Sequence, residues 1–105
     1  MKYPWTDYGL THKDLGYTRA GDLLLVLYQR PLVEGEVAKW GAKLGPDPDA
    51  TLASAEKALG DAEEKVESGM WHVSIRDSIL KAVEETRTKH AAWRFYSAVL
   101  AGMGG

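Results

Sequence analysis

A continuous stripe of apolar and small residues runs through residues 74–102, near the end of the 105-residue chain. Its members recur every three or four positions, which places them on one face of an α-helix. Ser74 is positioned to cap the first turn, with Asp77 completing a capping box, and Gly102 suits the helix end. We therefore predict one long helix from Ser74 to Gly102. The stripe consists of Ile75, Ile79, Ala82, Val83, Thr86, His90, Trp93, Ser97 and Leu100.

A second helical pattern lies directly before the first one. Asp47 followed by Pro48 is a favoured helix start, and Gly69 suits the end. Two such helices joined by a short link form an antiparallel hairpin. Their charges favour the pairing, since residues 47–70 carry a net charge of −5 and residues 71–105 one of +2. The apolar positions of the helix that begins at Pro48 follow a heptad-like seam. They are Leu52, Ala55, Leu59, Ala62, Val66 and Met70.

Residues 22–44 have a less regular pattern, which predicts short helices. Pro31 suits the first turn of one of them. The preceding run, Leu23–Gln29, fits either a buried strand or a short buried helix, and periodicity alone does not decide between them. We favour the helix because leucine is a good helix former and the chain offers only one weak strand partner, residues 33–40. The second short helix is indicated by Val33, Val37, Trp40 and Leu44.

Residues 1–21 read as an arm, because proline and glycine interrupt them and no period survives. The arm is nevertheless rich in aromatic side chains, in which disordered tails are poor. Two interpretations remain open. The arm either lies over the helices of its own chain and completes their core, or anchors into a partner protein.

The pattern as a whole predicts an all-α fold in a single domain, residues 1–105. This small helical domain combines the extended aromatic N-terminal arm, short helices over residues 22–44 and a long C-terminal antiparallel helical hairpin over residues 47–102. The last helix would span about 40 Å, whereas a compact domain of this size measures about 26–30 Å across. One end of the helix should therefore project, bend or meet a partner.

Composition narrows the functional classes only slightly. A formal net charge of −2 gives no overall attraction to nucleic acid or to anionic membranes. The absence of cysteine excludes disulfides, thiolate chemistry and cysteine-based metal sites. The longest apolar run, residues 23–28, is far shorter than a membrane span of about 20 residues. No secretory signal is visible, so we expect a cytoplasmic protein with no membrane contact.

No pattern of residues predicts a catalytic, cofactor or metal site. The chain has neither a Gly-x-Ser-x-Gly turn nor a glycine-rich phosphate loop. Glu84 and Glu85 point about 100° apart on the helix and do not form an acid–base pair. The three histidines are scattered, and His90 is expected to be a half-buried, hydrogen-bonded side chain. An enzyme is therefore not expected, and no cofactor is predicted.

The unusual feature is a set of aromatic side chains at the end of the long helix. They point in different directions, so one neighbouring helix cannot cover them all. Either the arm or a second chain should do so, and aromatic residues are enriched at protein interfaces. The leading hypothesis is a non-enzymatic interaction or assembly module, such as an accessory subunit, an adaptor or a small structural component, with a protein partner or further copies of itself. The predicted contact residues are Tyr3, Trp5, Tyr8, Trp93, Phe95 and Tyr96.

The alternative hypothesis is a helical regulator that binds nucleic acid. Arg76, Arg87 and Arg94 are spaced by eleven and seven residues, which places them in a row on one helix face. Such a row suits contact with phosphates. More often, arginines in this arrangement are solvated or pair with acidic side chains of a neighbouring helix.

Overall fold

The computed structural model describes residues 2–104, and every regular element among them is helical. The all-α prediction is therefore confirmed. A short 3-10 helix lies in the arm at Pro4–Tyr8, and four α-helices follow it. These are α1 (Ala20–Val26), α2 (Arg30–Leu44), α3 (Pro48–Glu67) and α4 (Val73–Gly102).

Helices α3 and α4 form the predicted antiparallel hairpin. Asp47 caps α3, where its carboxylate accepts a hydrogen bond of 3.1 Å from the Ala50 amide. Gly69 adopts a left-handed conformation with φ of 79° in the link, a conformation that glycine takes without steric cost. Local signals in the sequence thus place both ends of α3 correctly.

The start of α4 differs from the prediction. His72, and not Ser74, is the N-cap, because the Nδ1 atom of its imidazole accepts a hydrogen bond of 3.1 Å from the Ser74 amide. Ser74 therefore lies inside the helix, and its capping box with Asp77 does not form. Asp77 instead accepts a hydrogen bond of 3.0 Å from its neighbour Arg76.

Helix α4 is the common packing partner of the two helices before it. Helix α2 runs antiparallel along its C-terminal half: Arg30 donates to the Gly104 carbonyl at 3.0 Å, and Gly41 lies against Trp93. Helix α3 covers the N-terminal half, and α2 and α3 touch each other only slightly. The structure is elongated, measuring 51 × 29 × 18 Å, with the α3–α4 link at one end.

The ambiguous segment before α2 is helical, as we favoured. Helix α1 ends at Val26, and residues 27–29 turn the chain into α2. The strand interpretation fails because its one candidate partner, residues 33–40, lies inside α2.

The main core surrounds the C-terminal half of α4, and the arm contributes to it. Trp5, Leu10 and Leu15 are buried there together with side chains of α1, α2 and α4. Of the two interpretations left open for the arm, the structure thus shows the first. The arm covers the helices of its own chain.

Candidate interaction surfaces

Five of the six predicted contact residues come together where the arm crosses α4. The ring of Trp5 is stacked on that of Tyr3, with centroids 4.7 Å apart and planes 5° from parallel. The rings of Trp5 and Phe95 are nearly perpendicular with centroids 6.4 Å apart, and the ring of Tyr8 lies 5.6 Å from that of Phe95. Tyr96 is in contact with Phe95 at 5.2 Å. The aromatic side chains of the arm therefore pack against those of the C-terminal helix.

Burial divides these six residues into two groups. Trp5, Phe95 and Tyr96 are 0–1% exposed, so the chain itself covers them completely. Tyr3, Tyr8 and Trp93 are half-buried and keep some surface. Trp93 stands apart from the other five, against Gly41 of α2 and 5.7 Å from the ring of His90. Contact between these residues and a partner stays a prediction. Only Tyr3, Tyr8 and Trp93 have exposed surface that a partner could touch.

The three arginines of the predicted row all interact with groups of their own chain. Arg87 holds the Glu56 carboxylate with two hydrogen bonds, one of them 2.7 Å from Nη2 to Oε2. Arg76 pairs with Asp77, and Arg94 lies 5.8 Å from the ring centre of Tyr8. Binding to phosphate would compete with these contacts.

The pair between Arg87 and Glu56 makes the stability of the hairpin depend on pH. The hydrogen bonds from Arg87 lower the pKa of Glu56 below its ordinary value of 4.5. Stability gained in this way is fully present above the ordinary value and is lost as the pH falls through the lowered one. We expect Glu56→Gln to be less stable than the wild type at neutral pH, and the difference between the two to shrink as the pH falls below the ordinary value.

Urea unfolding followed by circular dichroism between pH 3 and 7 would test this expectation. Glu64→Gln is a matched control, because Glu64 is an exposed glutamate of the same helix that forms no ion pair within residues 2–104. A difference between wild type and Glu56→Gln that does not change with pH would contradict the assignment.

His90 has the structural role expected of it. It is 8% exposed, and its Nε2 atom lies 2.7 Å from the Asp49 carboxylate, which ties α4 to the start of α3. Within the described part of the chain, no group of three or more His, Asp or Glu side chains is placed to hold a metal ion.

A partly buried polar cluster links the arm, α2 and α4. At its centre, the Glu36 carboxylate accepts a hydrogen bond of 3.1 Å from the Trp40 indole. Burial raises the pKa of the Tyr17 and Tyr96 phenols, and the nearby Glu36 charge raises both further. The Tyr96 hydroxyl is buried and lies close to the Glu36 carboxylate, but it makes no hydrogen bond of ordinary geometry among residues 2–104. Sequence reasoning missed this cluster, because its members are distant in the chain.

An open groove of about 520 Å3 lies between the arm, the end of α2 and the middle of α4. Three lysines and three carboxylates line it, so it offers no net charge to select a ligand. The lining residues are Asp14, Trp40, Lys43, Lys81, Glu84, Glu85, Thr88 and Lys89.

Large apolar side chains stand exposed in two places. We call Leu25, Tyr28 and Leu32 the corner patch, because they lie where α1 turns into α2. We call the residues around the α3–α4 link the tip patch, formed by Met70, Val73 and Ile75. Tyr28 is 84% exposed and Met70 is 72% exposed.

The two patches lie at opposite ends of the structure. Arg30, between Tyr28 and Leu32, bonds to Gly104 just past the end of α4, whereas Val73 begins that helix. A helix of 30 residues separates these points by about 45 Å. The sequence held one signal for the corner patch, since an apolar run without a period puts apolar side chains on every side of a helix.

Comparison of the chain with protein-family models, with curated proteins and with solved structures finds no significant match. Within residues 2–104, no helix is both long enough and apolar enough to cross a membrane.

Proposed function

We propose that the protein is a non-enzymatic interaction or assembly module, acting as an accessory subunit, an adaptor or a small structural component of a larger complex. One observation carries the proposal. All six large apolar side chains that are exposed within residues 2–104 fall into the corner patch and the tip patch. Scattered exposed apolar residues are ordinary, whereas clustered ones are typical of surfaces that bind other proteins.

The arrangement of the patches also supports this role. They lie at the two ends of an elongated structure, so contacts at one end leave the other end free. The aromatic core at the arm holds α1 and α2 in place on α4. Because the corner patch lies between α1 and α2, this core also fixes the position of the patch.

We do not propose nucleic-acid binding. Arg76 and Arg87 would have to leave carboxylate partners in their own chain to contact phosphates. The chain as a whole is also slightly acidic, so its net charge would not compensate for the loss of these ion pairs.

A photo-crosslinking amino acid at position 28 or 70 tests the proposal in the organism that encodes the protein. We expect protein adducts from at least one of these positions, because each stands in an exposed apolar patch. The same amino acid at Ala53, an exposed position in the middle of α3, should give none. Adducts at all three positions, or at none, would overturn the proposal.

A further inference from the structure

The corner patch holds more apolar surface than its own chain covers. The run Leu23–Tyr28 consists of six consecutive apolar residues, of which only Leu23 is buried. Leu24, Val26 and Leu27 are half-buried, and Leu25 and Tyr28 are exposed. Helical segments that are apolar on all sides are normally enclosed by protein.

The charges around the corner patch are balanced. Residues 19–34 contain Arg19 and Arg30 together with Asp22 and Glu34, all four of them exposed. None of the four takes part in an ion pair within residues 2–104, although Arg30 donates to the Gly104 carbonyl. Two positive and two negative groups thus stand next to exposed apolar side chains.

The charges around the tip patch are not balanced. Residues 61–77, on both sides of the link, contain five carboxylates against only Lys65 and Arg76. Arg76 pairs with Asp77, and Lys65 lies 4.3 Å from the ring centre of Trp71. Two copies of the tip brought together would place like charges against each other, which opposes association.

A contact between identical patches must be complementary to itself. In a two-fold symmetric dimer, residue i of one copy meets residue j of the other, and j meets i. Equal numbers of both charges allow this arrangement, because each arginine can face a carboxylate of the second copy, whereas an excess of one sign opposes it. Of the two patches, only the corner patch has this balance.

We infer that the corner patch is the interface of a two-fold homodimer, and that its partner is a second copy of this chain. Leu25, Tyr28 and Leu32 of the two copies pack together, surrounded by pairs between Arg19 or Arg30 and Asp22 or Glu34. This inference rests on the proposed function and names one partner for it. The tip patches then remain free at the outer ends of the dimer.

Light scattering after size-exclusion chromatography, over a series of protein concentrations, tests the inference. The mass should rise with concentration from 11.6 kDa to about twice that value. Tyr28→Asp should weaken dimerisation at least about tenfold, because it places a charge in the apolar contact. Met70→Asp, the same kind of change at a similarly exposed residue of the tip, should leave it unaffected.

A charge-exchange experiment tests self-complementarity directly. A chain with Arg19→Glu and Arg30→Glu, and another with Asp22→Lys and Glu34→Lys, should each be monomeric alone. Mixed in equal amounts, they should form a heterodimer, and circular dichroism spectra should verify that both are folded.

Three outcomes would overturn the inference: a monomer at every concentration, a dimer insensitive to Tyr28→Asp, or a dimer lost in Met70→Asp. A monomer that still forms adducts with another protein from position 28 or 70 would overturn the homodimer alone. The proposed function would then stand.

Discussion

Replacing Trp5 by alanine should lower the free energy of unfolding by about 3–5 kcal/mol, the usual cost of deleting a large aromatic side chain from a core. Trp5 is 1% exposed, with the ring of Tyr3 stacked on it and the ring of Phe95 nearly perpendicular to it. Since domains of this size are stable by only about 5–15 kcal/mol, the substitution should remove a large part of the total. Urea unfolding monitored by circular dichroism would measure it.

Met70→Ala is the matched control for this experiment. It also deletes a large apolar side chain, but one that is 72% exposed at the tip. Its effect should stay within about 0.5 kcal/mol. If Trp5→Ala cost no more than Met70→Ala, the arm would not be docked on α4 in solution, and its aromatic residues would be free to meet a partner.

Replacing Tyr96 by phenylalanine should instead stabilise the protein, by about 1–3 kcal/mol, because a buried polar group without a partner carries the full cost of leaving water. The Tyr96 side chain is completely buried, and its hydroxyl has no hydrogen-bond partner among the described residues. The phenylalanine ring fills the same space without that cost. The same urea unfolding measurement would detect the gain.

The neighbouring Glu36 could accept a hydrogen bond from Tyr96, and in that case Tyr96→Phe would destabilise the protein. Its carboxylate accepts from Trp40 and lies close enough to the phenol to raise the pKa of Tyr96. If Tyr96→Phe were destabilising by about 1 kcal/mol, the hydroxyl would be donating to Glu36 in solution. Tyr28→Phe removes a hydroxyl from a side chain that is 84% exposed in the single chain, and it should leave stability unchanged at protein concentrations where the chain is monomeric.

The hairpin of α3 and α4 was predictable because its signals are local. A heptad-like seam, an Asp-Pro start and a glycine end all lie within the segment they define. The start of α4 was missed because the cap is supplied by His72, whose ring nitrogen reaches the Ser74 amide. Serine is the more usual cap, so sequence preference pointed two residues too far along.

Other features depended on relations between distant segments. Periodicity did not distinguish helix α1 from a strand, and beside its leucines the main argument for a helix was the lack of a good strand partner, which is a property of the whole fold. The sequence likewise showed that something must cover Phe95 and Tyr96, but only the structure shows that Trp5 and Tyr8 of the same chain contribute. The tip patch escaped prediction because Met70 continues the heptad-like seam of α3 and so resembles a core residue. The run that holds Tyr28 has no period, so the sequence does not show which of its side chains stay exposed.

Helix α4 contains neither glycine nor proline between its first residue and Ala101, so it lacks the usual causes of a kink. It connects the tip patch to the end of the structure that carries the corner patch, over about 45 Å. The helix therefore fixes the distance between the two ends. Any assembly that uses both ends of the protein would hold its two contacts at a spacing that is set by the number of residues in one helix.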